Sequence, residues 1–216
     1  MRIIGGEWRG RKIEEPRGRD VTRPTTDRVR EACASMVMSA FDFDLDEVRV
    51  LDAFGGSGAL GLEMLSRGAR SLTTFEIDRN AARLITKNIE SLCHDRARWR
   101  VVTGDMLTSA SRGRVPGGPF DLVLLDPPYA FGAEPVDELL QNLAQQGLLT
   151  PGAYALFEHA AADAGAHPAG FVTVREKRYG ITSVDLLRWD GEGEDDDTAT
   201  DADDSDGTTF QGDAHE

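Results

Sequence analysis

With 216 residues, 40% of them hydrophobic, the chain has material for one domain with a single core plus appendages. No apolar run reaches bilayer length, the N-terminus lacks a secretory signal, and two cysteines (Cys33, Cys93) and four histidines show no redox or metal-ligand spacing. These features argue against a membrane protein, a disulfide scaffold and a structural metal, and lead us to expect a cytoplasmic protein; the formal net charge of −14 alone would argue against a nucleic-acid partner.

That charge is unevenly spread. Residues 1–30 hold nine Arg or Lys against five Asp or Glu, a local net of +4. Residues 190–216 hold 12 acidic residues and no Lys or Arg, leaving a net of −2 for residues 1–189. The chain thus reads as a basic arm, a near-neutral body and an acidic tail, and a phosphate backbone responds to the local field.

Residues 1–24 read as a small β-rich arm, with Arg2-Ile3-Ile4 and Arg11-Lys12-Ile13 pairing across Gly5-Gly6-Glu7-Trp8-Arg9-Gly10. Pro24-Thr25-Thr26-Asp27 sets up a helix to about Ser39, capped by Thr26 or Asp27. From Val48, strands and helices alternate. Strands are predicted at Val48–Ala53, Ser71–Glu76, Arg98–Thr103, Phe120–Leu125 and Ala153–Glu158. Helices are predicted at Ala59–Arg67, Arg79–Leu92 and Glu134–Gln145. This alternation predicts an α/β fold with a doubly wound parallel sheet. Phe171–Arg178 and Ile181–Trp189, joined by the short Tyr179-Gly180 turn, permit only antiparallel pairing. Seven strands, mostly parallel and closed by a C-terminal antiparallel hairpin, are the layout of Rossmann-like class I methyltransferases rather than of dehydrogenases. The Asp-, Gly-, Ser- and Thr-rich segment 190–216 is predicted to be disordered.

After the first strand comes Asp52-Ala53-Phe54-Gly55-Gly56-Ser57-Gly58. Its glycines allow a tight turn and let backbone N–H groups approach a ligand at a helix N-terminus. Gly56, Gly58 and Gly61 fit G-x-G-x-x-G, a weak pattern by itself, with a plain strand–helix turn as the alternative. Asp52 is placed to engage the amino-acid portion of a nucleotide-type cofactor, directly or through water. Glu76, about 20 residues beyond Gly56, is placed to accept from two ribose hydroxyls. Asp105, in Thr103-Gly104-Asp105-Met106, either accepts from an adenine amino group or caps a helix. A nicotinamide cofactor would also suit the glycines and Glu76.

The ending of the fourth strand separates those readings. Asp126-Pro127-Pro128-Tyr129 puts a carboxylate, a proline-held carbonyl and an aromatic ring together. Such a set suits a flat, amino-bearing base: Asp126 and the Pro127 carbonyl accept from the NH2, and Tyr129 stacks on its face. The implied chemistry is methyl transfer to an exocyclic nitrogen of a base that has left its stack. A loop-breaking Pro-Pro with Tyr129 in the core is the plainer alternative.

These segments resemble the RsmD family of bacterial 16S rRNA guanine-N2 methyltransferases. The resemblance runs from Arg2 to about Trp189. It is carried by Arg2-Ile3-Ile4-Gly5-Gly6-Glu7-Trp8-Arg9-Gly10-Arg11-Lys12, Arg23-Pro24-Thr25-Thr26-Asp27-Arg28-Val29-Arg30-Glu31, Gly56-Ser57-Gly58-Ala59-Leu60-Gly61-Leu62-Glu63, the Asp-Pro-Pro-Tyr segment and Tyr179-Gly180. It implies S-adenosylmethionine as cofactor, bound by Asp52, Phe54, Gly56, Ser57, Gly58, Glu76 and Asp105, with Arg23 and Thr25 over the ligand. It implies Asp126, Pro127 and Tyr129 as the reacting-site residues. The implied substrate is one guanine of 16S rRNA in the small ribosomal subunit or its assembly intermediate, met by Pro128 and by Arg9, Arg11 and Lys12 of the arm. The implied division is 1–40 for RNA and target contact, 41–189 for methyl transfer and 190–216 as tail. Arg23, Arg28 and Arg30 equally suit a solvated helix face. DNA adenine-N6 methylation uses a similar four-residue motif, and an RNA-binding assembly factor without activity is a further alternative. Two departures stand out: Gly55, where the family usually has alanine, and the acidic tail.

Overall fold

The computed structural model describes residues 1–16, 27–128 and 131–191. The expectations for Arg23, Thr25, Tyr129 and nearly all of the acidic tail therefore lie outside the described residues. The elements, in chain order, are α1 (Asp27–Ala40), β1 (Arg49–Asp52), α2 (Ala59–Ser66), β2 (Ser71–Glu76), α3 (Arg79–Glu90), β3 (Trp99–Thr103), α4 (Met106–Ser111), β4 (Phe120–Leu125), α5 (Glu134–Gln145), β5 (Leu149–Ala160), β6 (Phe171–Tyr179) and β7 (Thr182–Trp189).

The strands form one sheet in the order β3-β2-β1-β4-β5-β7-β6. The first five are parallel, and β7 runs antiparallel to both β5 and β6. The expected seven-stranded sheet with its closing hairpin is present. Gly180, at φ 64°, supplies the left-handed turn between β6 and β7. Side chains alternate across the sheet, so each strand feeds two cores. Val50, Leu72, Leu122, Leu124, Leu156 and Val184 pack with Cys33, Met36 and Val37 of α1, Leu62 and Leu65 of α2, and Ile85 and Ile89 of α3. Leu51, Phe75, Val123, Leu125, Phe157 and Leu187 pack on the other face, against Met106 and Ala110 of α4 and the Val136, Leu139, Leu140 and Leu143 stripe of α5.

Two details depart from the expected elements. α4 has only six residues, too few for an amphipathic period to show in sequence; Asp105 starts it, its side chain accepting from the Thr108 N–H at 2.6 Å. β5 begins at Leu149, before the expected Ala153, because Leu149 pairs with Phe120 ahead of an irregularity in the β4–β5 ladder. Pro151 and Gly152 sit at that irregularity and disguise the strand.

The N-terminal segment is pinned to the body. Arg2 and Lys12 form an antiparallel bridge, and Ile3, Trp8 and Ile13 are buried in the α1–α3 core. The wholly buried Glu63 of α2 accepts the Ile4 N–H at 2.7 Å and the Gly5 N–H at 3.3 Å, and pairs with Arg67. Ser66 Oγ accepts the Trp8 N–H at 2.9 Å and donates to the Gly5 carbonyl at 2.6 Å. Asn88 of α3 accepts from the Glu14 N–H and donates to the Glu14 carbonyl, both at 2.9 Å. A Cβ at Gly6 would lie 1.9 Å from the Ser66 carbonyl oxygen, so only glycine lets the hairpin sit this close to α2.

Candidate active site

The parallel register lines up the ends of four adjacent strands. Asp52 pairs with Thr74 on one side and Leu124 on the other, and Leu124 pairs with Leu156. Glu76, Asp126 and Glu158 each follow one of those partners by two residues. They therefore share its face with Asp52, the face that packs on α1 to α3. All four carboxylates line one cavity of about 390 Å³, within the usual range for small-molecule sites. It opens at the carboxyl ends of the strands, where ligands of doubly wound sheets bind.

The glycine turn forms one wall. Gly56 and Gly58 have φ 55° and 77°, and the turn is tied to β2: Gly55 N–H donates to the Phe75 carbonyl at 2.7 Å and Gly56 N–H to Glu76 Oε2 at 2.8 Å. Glu76 Oε1 accepts the Asp78 N–H at 2.8 Å, so two backbone bonds fix this carboxylate's orientation. An added Cβ at Gly55 would stand 2.5 Å from Thr74 Cγ2 and 2.7 Å from Ile85 Cδ1; alanine would need those side chains to shift. Gly58 does not line the cavity; it begins α2 behind the turn.

Asp52 is buried, and its Oδ2 has no hydrogen-bond partner among the described residues. Burial, then the Asp126 charge, then that of Glu76 raise its pKa from 3.8 to about 7, against the lowering effect of the Phe54 and Gly61 backbone N–H groups. Asp126 is half-buried, Pro127 buried and Pro128 exposed, and all three line the cavity. Asp105 lines it too, and its side chain caps α4, the second of the two roles that the sequence allowed it. Ser57 lines the cavity, and Phe54 meets Phe131 edge-to-face at 5.2 Å on another wall.

Phe131 and Glu158 were not expected from sequence, and Arg30 was read there as equally suited to a solvated helix face. Phe131 returns to the cavity after a turn in which its N–H donates to the Pro128 carbonyl at 2.8 Å. Arg30 of α1 is 2% exposed; its Nη2 donates to the Arg2 carbonyl at 3.2 Å and pairs with Asp27, while Nε and Nη1 have no partner among the described residues. It is a lining residue, not a solvated one. The only legible signal for Glu158 was an acid closing an apolar strand. Arg9, Arg11 and Lys12 stand exposed on the hairpin, outside the cavity, and Arg11 donates to the Ser91 carbonyl at 3.2 Å. Among the described residues no cluster of His, Cys, Asp and Glu could hold a metal ion, and no helix is long and apolar enough to cross a membrane.

The fit to a cationic, ribose-bearing cofactor can be judged from these groups. Glu76, oriented by two backbone N–H groups, lines the cavity, and among the described residues the buried Asp52 Oδ2 is unsatisfied, a setting that suits a positively charged group. Six acidic side chains line the cavity (Glu15, Asp52, Glu76, Asp105, Asp126 and Glu158) against the buried Arg30, a balance that favours a cation there. The antiparallel β7 beside β5 sets this sheet apart from that of dinucleotide dehydrogenases and gives it the fold of the class I methyltransferases.

Comparison with known proteins agrees. A family model described as "Conserved hypothetical protein 95" matches residues 1–188. Ribosomal RNA small subunit methyltransferase D of Escherichia coli is 35% identical over 197 residues, spanning 91% of this chain and 93% of that protein. The protein of the same name from Haemophilus influenzae is 32% identical over 188 residues, spanning 87% and 93%. The solved structure of yhhF from Escherichia coli superposes with a TM-score of 0.72 at 34% identity, covering 89% of this chain and 99% of that one. The chain belongs to this family, the RsmD family of methyltransferases.

Proposed function

We propose that the protein transfers a methyl group from S-adenosylmethionine to the exocyclic N2 of a guanine in 16S rRNA. It acts in the cytoplasm, on the small ribosomal subunit or an assembly intermediate. The observation that carries this reading is the shared cavity of Asp126-Pro127 and the glycine turn, with Asp52 and Glu76 between them. The names of the relatives support the rRNA substrate.

S-adenosylmethionine supplies a methyl on sulfonium, already activated toward a nucleophile. In this reading Glu76 accepts from the ribose hydroxyls, Asp52 offsets the positive charge of the methionine portion, and Asp105 and Phe54 flank the adenine. Gly56 and Ser57 let the backbone close on the ligand, and Gly58 behind them starts α2. The resemblance adds Arg23 and Thr25 above it. Asp126 and the Pro127 carbonyl accept from the guanine amino group, hold it in line and favour a pyramidal nitrogen. The proton shed by that nitrogen passes to the Asp126 carboxylate or to water. Pro128 and Tyr129 contact the base, and stacking on Tyr129 contributes about 1–3 kcal/mol. Arg9, Arg11 and Lys12, on the hairpin that Glu63, Ser66 and Asn88 hold in place, meet RNA phosphates. Segment 1–40 then serves target contact and 41–189 methyl transfer.

Incubating the protein with labelled S-adenosylmethionine and either small subunits or duplex DNA tests the reading. N2-methylguanosine from the particles is expected. Label in N6-methyladenine from the duplex would overturn it.

A further inference from the structure

Glu158 is an acid at the cavity for which the reaction described above has no use. It is 3% exposed and lines the cavity together with Asp126. Leu125 of β4 and Phe157 of β5 are the last pair of their ladder, so Asp126 and Glu158 are the next residues on two adjacent strands and face the same cavity. Both act on one point of α1: after burial, the Glu158 and Asp126 charges are what raise the pKa of the buried Cys33 thiol. Among the described residues, the same cavity holds buried polar atoms without partners, Asp52 Oδ2 and Arg30 Nε and Nη1, which suits a polar occupant.

A pair of acceptors side by side matches one edge of one base. Guanine presents two neighbouring donors there, the ring N1–H and the exocyclic N2 amine. Adenine presents an amine beside a ring N1 that carries a lone pair, and two carboxylates would repel it. We propose that Glu158 is a specificity-determining residue that accepts the guanine N1–H while Asp126 accepts from the N2 amine. The inference rests on guanine N2 being the target and says why the cavity takes guanine. A carboxylate at N1–H also raises electron density on the conjugated amine, the atom that must act as nucleophile.

2-Aminopurine tests this directly, since it keeps the amine at C2 but carries a lone pair in place of N1–H. Small subunits are reconstituted with guanine or 2-aminopurine at the nucleotide that the wild-type protein methylates. kcat/KM is compared for the wild type and Glu158→Gln, with S-adenosylmethionine affinity measured in parallel by calorimetry. The wild type is expected to prefer guanine by about a hundredfold, the scale of a charge-assisted hydrogen bond replaced by a repulsion. In Glu158→Gln, whose carboxamide both donates and accepts, the preference should shrink to about fivefold, with cofactor affinity within about twofold of wild type. Glu158→Asp keeps the charge and should keep the preference at lower rate, which separates recognition from loss of folding. Methylated guanine with an undiminished preference in Glu158→Gln overturns this inference alone. A wild-type protein that leaves guanine N2 unmethylated overturns the reaction reading as well.

Discussion

Replacing Asp52 by asparagine should change how the protein's stability depends on pH. The Asp52 pKa is about 7 in the folded chain against an ordinary 3.8. Between those values the folded state holds a proton that the unfolded state has lost, so stability falls by about 1.4 kcal/mol per pH unit as pH rises. The contribution is fully present below the unfolded value of 3.8 and gone once pH has passed about 7. Across the whole window this amounts to about 4 kcal/mol, and between pH 5 and pH 8 to about 2.5 kcal/mol. Asparagine resembles the protonated carboxyl, does not titrate, and keeps an oxygen for the Phe54 and Gly61 N–H groups. Urea unfolding of cofactor-free wild type and Asp52→Asn at the two pH values reads the difference. The wild type should lose about 2.5 kcal/mol more than the variant on going to pH 8. Parallel curves for the two proteins would refute the claim that burial and the neighbouring acids hold Asp52 near neutrality.

Because a bound cation draws that proton off, S-adenosylmethionine binding near pH 7 should release up to about half a proton, seen as a buffer-dependent enthalpy in calorimetry that vanishes in Asp52→Asn. Glu63→Ala strands the Ile4 and Gly5 N–H groups and the Arg67 charge, and should cost about 3 kcal/mol in urea unfolding while exposing the first 16 residues to protease. Gly61→Ala would set a Cβ 2.9 Å from both Asp52 Oδ2 and Leu72 Cδ1 and should cost about 1–3 kcal/mol, read as a lower Tm.

Much of this was legible in residues 48 to 189. Strand and helix periods alternate there, so β2, β4 and α5 have the bounds that their apolar patterns predict. Asp52, Glu76, Asp105 and Asp126 were legible because each closes a strand pattern just before a turn. Glu158 closes one too, but β5 continues past it to Ala160, and nothing local marks it as a neighbour of Asp126. That adjacency is a fact of parallel register between strands more than 30 positions apart, as Leu125 and Phe157 show. Arg30 was ambiguous for a similar reason: an arginine on a helix is usually solvated, whereas here it is buried and bonds to the Arg2 carbonyl of the hairpin. The docking of the arm depends on Glu63, Ser66 and Asn88, whose helical spacing announces no partner 58 to 74 residues away.

The most direct test maps methylated nucleosides in 16S rRNA from cells with the protein, without it, and with Asp126→Ala in its place. One N2-methylguanosine should be present in the first and missing from the other two, while the purified variant still binds S-adenosylmethionine. The same nucleosides in all three RNAs, or full methylation by Asp126→Ala, would contradict a guanine amine held against a methyl donor at the ends of β1, β2 and β4.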